Sequence, residues 1–150
     1  MRPAGGARGA GPADVPDDVL ARVRAVCAPL PGVHEEPAWV GTRWRVRSKT
    51  FAHVLTTDGV RPAAHVRVAG VTGPALLLVF RAAGMELDVL SRCGPPFFRG
   101  NWGTGVIGMV LGTGGGRRDV DWDEVAELLT DSYCVQAPRT LAARVARPGD

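Results

Sequence analysis

The sequence lacks any apolar run of membrane-spanning length. Its longest, Ala75–Phe80, is strand-sized, whereas a spanning helix needs roughly 18 or more apolar residues. The N-terminal stretch has no apolar core of the kind a secretory leader carries, so no membrane association is expected and the cytoplasm is the expected location. Cysteine is scarce. Cys27, Cys93 and Cys134 are widely spaced and odd in number, which excludes a disulfide framework and a zinc-binding motif; each is expected to serve as a small buried hydrophobe. Lysine is nearly missing: Lys49 is the only one, so positive charge is carried by arginine. No internal repeat is present. The glycine-rich stretch Gly112–Gly116 lacks the Gly-Lys-Ser/Thr ending of a nucleotide-binding loop and runs into Asp119, Asp121 and Asp123, which would repel a phosphate; it reads as a connection.

What is present is enough for one folded domain. A chain of 150 residues buries roughly 68–70% of its unfolded surface and needs no metal or disulfide to hold together. Residues 1–13 are rich in Gly, Ala, Pro and Arg and cannot build a core, so they read as a disordered tail before a single domain over 14–147. The net charge of +3 is modest, but its distribution is not. Between Arg43 and Arg67 six cations face one carboxylate, Asp58; between Asp119 and Asp131 there are six carboxylates and no cation. Such a dipolar chain can orient toward an anionic partner.

Periodicity supplies the elements. Val19, Leu20, Val23, Val26, Cys27 and Leu30 form a helical stripe, which predicts a helix over Pro16–Ala28 with Asp17 and Asp18 favouring its N-terminus. Arg43, Arg45 and Arg47 alternate with Trp44 and Val46, placing arginines on one face of a strand and apolar residues on the other. This strand and Thr50–Thr56 read as a hairpin turning at Ser48-Lys49. Further strands are expected at Ala64–Val68, with His65 and Arg67 on one face, at Leu76–Phe80 and at Val106–Leu111. Helices are expected at Met85–Arg92, after an Asp121/Glu124 capping box with Trp122, Val125, Ala126, Leu129 and Tyr133 inward, and from Pro138 to about Val145. The fold class is therefore α+β: an antiparallel sheet with helices packed on one face. The other face is where Arg43, Arg45, Arg47, His65 and Arg67 would emerge.

Three stretches taken together, LPGVHEEPAW (Leu30–Trp39), WRVRSKTFAHV (Trp44–Val54) and DWDEVAELLTDSY with the following APRTL (Asp121–Tyr133, Ala137–Leu141), resemble the MmcQ/YjbR family of small bacterial proteins. The resemblance covers about residues 15 to 145. It implies a CyaY-like domain, similar to the double-wing DNA-binding fold, and with it the family's usual label of DNA-binding protein. It implies no catalytic residue. Arg45, Arg47, Lys49 and Phe51 match the family's basic hairpin, and Trp102, Trp122 and Tyr133 its aromatic positions. Two departures stand out: Ser48 occupies a turn position where glycine is expected, and the loop from Gly112 to Arg118 is longer than usual.

The functional expectation is a non-enzymatic protein that contacts phosphates of nucleic acid, chiefly double-stranded DNA, through Arg43, Arg45, Arg47, Lys49 and Arg67, with His53 and His65 at the margin. The opposing expectation for the same arginines is an ordinary solvated face, paired with Glu35, Glu36 or Asp58. His53 and His65 could face one another across strands, but no third ligand stands at metal-binding spacing, so neither metal nor cofactor is expected. A thiol nucleophile has no supporting signature. The alternative function is a binding module for a small anionic ligand or an acidic protein partner. A concave pocket between the sheet and Pro95–Trp102 would favour that alternative; a flat basic face would favour DNA.

Overall fold

The computed structural model describes residues 15–114 and 116–145; the expected tail over 1–13 lies outside them. Eleven elements follow in chain order: α1 (Asp17–Cys27), β1 (Val33–Pro37), β2 (Thr42–Val46), β3 (Lys49–Thr57), α2 (Ala63–Ala69), β4 (Ala75–Arg81), α3 (Gly84–Arg92), β5 (Phe97–Arg99), β6 (Val106–Thr113), α4 (Trp122–Gln136) and α5 (Arg139–Ala142). The strands form one antiparallel sheet in the order β1-β2-β3-β4-β6-β5. The chain is α+β, as the alternation of periods predicts. Among the described residues no helix is long and apolar enough to cross a membrane.

The main core lies between the sheet and helices α1, α3 and α4. Val19, Val23 and Cys27 come from α1, Val125, Leu129 and Tyr133 from α4, and Trp44, Val46, Phe51, Val54, Leu78, Phe80 and Met109 from the strands. Both Phe51 and its neighbour Ala52 reach this core because the β2–β3 register slips between Trp44 and Arg45, leaving Phe51 unpaired in a bulge. The helix α4 begins as expected: the Asp121 carboxylate accepts from the backbone N–H groups of Asp123 and Glu124 at 3.0 and 3.1 Å. Cys27 is fully buried, Cys134 half-buried and Cys93 exposed, so the expectation of burial fails for Cys93.

Three differences from the sequence reading matter for the site. First, Ala64–Val68 is not a strand. It lies within helix α2, which starts after Pro62 and ends at Gly70, where φ is +70 and the N–H bonds back to the Val66 carbonyl. Gly70 supplies the left-handed stop that other residues resist. Second, β1 is an edge strand carrying Glu35, Glu36 and Pro37, residues that blunt an edge but weaken a strand signal. Third, the sheet's second face is partly covered. Leu55, Leu77, Val79, Phe98 and Val106 form a smaller cluster there, beneath Val68 and Ala69 of α2 and Trp102.

Candidate basic hairpin and its surroundings

Alternation along β2 does what its residues dictate on the inner face: Trp44 and Val46 are fully buried. On the outer face Arg43 lies opposite Glu36 on one side and His53 on the other. Arg45 Nη1 donates to Glu36 Oε1 at 3.1 Å, and its Nη2 donates to the Ser48 carbonyl within the hairpin turn. Arg43 Nε is 3.4 Å from the same glutamate oxygen, close enough for charge attraction but without hydrogen-bond alignment. One carboxylate therefore serves two guanidiniums, and Arg45, then Arg43, hold Glu36 below the usual carboxylate range. Glu35 turns to the helix side. Arg24 of α1 grips it through two 2.8 Å bonds, and Trp44 Nε1 donates to it at 3.0 Å. Asp58 pairs with Arg61 at 3.1 Å.

The turn falls one residue earlier than the sequence implies. Strand β2 ends at Val46 and β3 begins at Lys49, which leaves Arg47 and Ser48 as the turn. Arg47 takes φ +58, the one left-handed non-glycine among the described residues. It thus leaves the row formed by Arg43 and Arg45 and projects from the tip. Arg47 and Lys49 are exposed, and among the described residues neither has a carboxylate in ion-pair contact. The tip is anchored from below: Gln136 Nε2 donates to the Thr50 carbonyl at 3.0 Å, and Ser132 Oγ donates to the Phe51 carbonyl at 2.5 Å. Burial raises the pKa of the Tyr133 hydroxyl and the adjacent Cys134 adds to the rise, whereas Arg144 and Arg47 oppose it. The charges of Arg47 and Arg144 thus both act on the Tyr133 hydroxyl.

The histidines meet, but not across two strands. His53 on β3 and His65 on α2 stand edge to face with ring centroids 6.0 Å apart, and His65 lies 4.4 Å from the Trp102 ring. His53 Nε2 donates to the Val40 carbonyl at 2.6 Å, which leaves Nδ1 as the acceptor when the ring is neutral. Both ring nitrogens of His65 are buried without hydrogen-bond partners among the described residues. Burial, with smaller help from His53, pushes its pKa down to about 4; burial, followed by Arg43, also lowers that of His53. Among the described residues no three His, Cys, Asp or Glu side chains converge as a metal would require. Arg67 is exposed on α2, off the sheet altogether.

Two residues take on meaning only in the folded chain: Trp39, which the sequence offers simply as one of four tryptophans able to stack on a base, and Arg81, which it does not single out. Trp39, in the β1–β2 loop, is 100% exposed. Arg81, at the end of β4, is partly buried with Nη1 donating to the Thr104 carbonyl at 2.8 Å. Neither belongs to a periodic pattern, so only the folded chain relates them to Arg43 and His53.

No curated protein and no solved structure matches the chain. The model of the YjbR family does match, over residues 28–135, a span running from the end of α1 through the basic hairpin to α4. The chain therefore belongs to the YjbR family.

Proposed function

We propose that this protein is a cytoplasmic, non-enzymatic nucleic-acid-binding module that engages phosphates with the tip of its β2–β3 hairpin rather than with the flat of the sheet. One observation carries the reading. Arg47 holds a left-handed conformation at a position where glycine would be unstrained, and it does so exposed, beside Lys49, with no carboxylate taking up its charge among the described residues. Strain of about 1–3 kcal/mol at a non-glycine residue persists where the surroundings impose it, and it clusters at working sites. A basic side chain kept there serves an external anion better than it serves the fold.

Arg43 and Arg45 play a supporting part. Arg45 spends one nitrogen on Glu36 and another on its own turn, so it braces the hairpin. Two guanidiniums over one carboxylate still leave net positive charge beside the tip. Arg67 is exposed and available as a peripheral contact. Duplex DNA is the expected partner because a narrow, rigid ribbon with a basic tip can reach phosphates along a groove.

The test is fluorescence anisotropy of a labelled duplex at rising salt. Phosphate contacts release counterions, so log affinity should fall linearly with log salt, with a slope of about 0.9 per phosphate neutralised. Absence of binding at low salt overturns the reading.

A further inference from the structure

We propose that the concavity between the β1–β2 loop and Trp102 is a binding site for a small anion carrying a flat ring. Its volume is about 270 Å³, and Trp39, Arg43, His53, Val79, Arg81 and Trp102 are among the residues lining it. That is slightly below the roughly 300 Å³ at which drug-sized pockets begin, so it suits one ring system and one charged group. The site is separate from the hairpin tip: neither Arg47 nor Lys49 lines it.

The charge of the walls selects an anion. Arg43 and Arg81 supply two guanidiniums, and among the described residues no carboxylate lines the site. Arg43 shares the single Glu36 carboxylate with Arg45 and is only partly neutralised by it; its buried Nε is aligned with no acceptor among the described residues. The Arg81 guanidinium donates to a backbone carbonyl, that of Thr104, and pairs with no carboxylate among the described residues; burial lowers its pKa. A partly desolvated cation without a counterion gains most from an arriving anion. His53 adds direction. Its Nε2–H is committed to Val40, so the neutral ring offers Nδ1 as an acceptor for a donor on the ligand.

The ring preference comes from Trp39. A tryptophan 100% exposed to water is a large apolar face left without a partner, yet its loop is firmly held. The Ala38 N–H donates to the Gly41 carbonyl at 3.0 Å, and the preceding carbonyl, that of Val40, is taken by His53. Gly41 has φ +80, and a Cβ there would stand 2.0 Å from the Val54 carbonyl oxygen. The loop is thus wedged against β3 by a residue that only glycine can be. An indole presented on a fixed loop loses little entropy when a flat ring stacks on it. The larger concavity near Pro95 and Pro96, about 560 Å³, makes no such combined offer: it has no aromatic side chain among its described lining residues, and of its two arginines, Arg117 and Arg118, the first is engaged by Asp18.

The chemistry shared by an aromatic carboxylate and a nucleoside monophosphate fits this site, and titration calorimetry with benzoate and with AMP separates the two. The expected result is saturable one-to-one binding of at least one of them; whichever binds tighter identifies the source. Neutral benzyl alcohol or adenosine should bind roughly tenfold more weakly or worse, as should either anion to Trp39→Ala and to Arg81→Gln. Inorganic phosphate should bind more weakly than AMP. The Arg47→Glu/Lys49→Glu double variant should keep the parental affinity, so failure here and failure of the nucleic-acid reading are distinguishable. Trp39 is outside the core, so Trp39→Ala gives a decisive result even if Arg81→Gln is poorly folded. No saturable binding of either anion at millimolar concentration overturns the proposal, as does full affinity in Trp39→Ala.

Discussion

Arg43 stands directly opposite Glu36 across the β1–β2 pair, with its Nε 3.4 Å from the glutamate oxygen. This relationship changes the meaning of the arginine row. By alternation alone, three arginines make one basic face, free for an anion or paired with Glu35, Glu36 or Asp58. In the folded protein an edge strand brings a carboxylate alongside, a second arginine shares it, and the third has left the row for the turn. The uncompensated charge therefore concentrates at the tip.

A first prediction separates stability from binding at that tip. Arg47→Gly removes the strain of a left-handed side-chain residue but adds freedom to the unfolded chain, so the net effect should be a stabilisation of about 0.5–1 kcal/mol. The same change removes a cation and should weaken duplex binding. Chemical denaturation and anisotropy on one preparation check both signs; a loss of stability would show that the side chain makes contacts that outweigh its backbone strain.

A second prediction concerns the platform beneath the hairpin. Phe51 and Arg81 would be the next pair beyond Ala52 and Phe80 in the β3–β4 ladder. Instead the fully buried Ser132 hydroxyl spans them, accepting from the Arg81 N–H at 2.8 Å and donating to the Phe51 carbonyl at 2.5 Å. Ser132→Ala should leave both groups wanting and destabilise the fold by about 2 kcal/mol. A urea midpoint unchanged from the parent would mean that the strands re-pair without it.

A third concerns pH. The folded pKa of His65 is depressed to about 4 from an ordinary 6.5, and that of His53 also falls. The unfolded chain therefore binds more protons between these values. The stability linked to the histidines is complete above pH 6.5 and is lost as pH falls toward about 4. Glu35, Glu36, Asp18 and Asp58 are all held below their ordinary values and stay charged through the upper part of this window. The melting temperature should accordingly drop between pH 7 and pH 5 in the parent and drop less in His65→Leu. Equal slopes would remove His65 from the account.

Much of the architecture was legible because it rests on period and capping. The stripe of Val19, Val23 and Cys27 does face the core, Trp44 and Val46 are inward, and Asp121 does cap α4. What could not be read depends on tertiary partners. Five residues alternating as Ala-His-Val-Arg-Val satisfy a strand period, yet His65, Val68 and Ala69 also satisfy a helical one, and docking of Val68 and Ala69 against the sheet's second face decides between them. Strand β1 carries two glutamates and a proline and exists because β2 pairs with it. The turn position was equally hidden, since nothing local marks Arg47 as the residue to take a positive φ. At the site, the basic hairpin was visible as a composition and Glu36 as one of three carboxylates expected to pair with it, whereas the choice of Glu36, the Trp39 loop and the Arg81 approach belong to contacts between distant residues.

The proposed nucleic-acid contact lies at the hairpin tip, through Arg47 and Lys49. Its most direct test is the salt-dependent anisotropy titration of a labelled duplex with the parent and with Arg47→Glu/Lys49→Glu, folding being checked by circular dichroism. With the contact at the tip, the double variant stays folded, its affinity collapses at low salt and its salt slope shrinks by about two contacts. A folded double variant that binds the duplex with the parent's affinity and slope would contradict it.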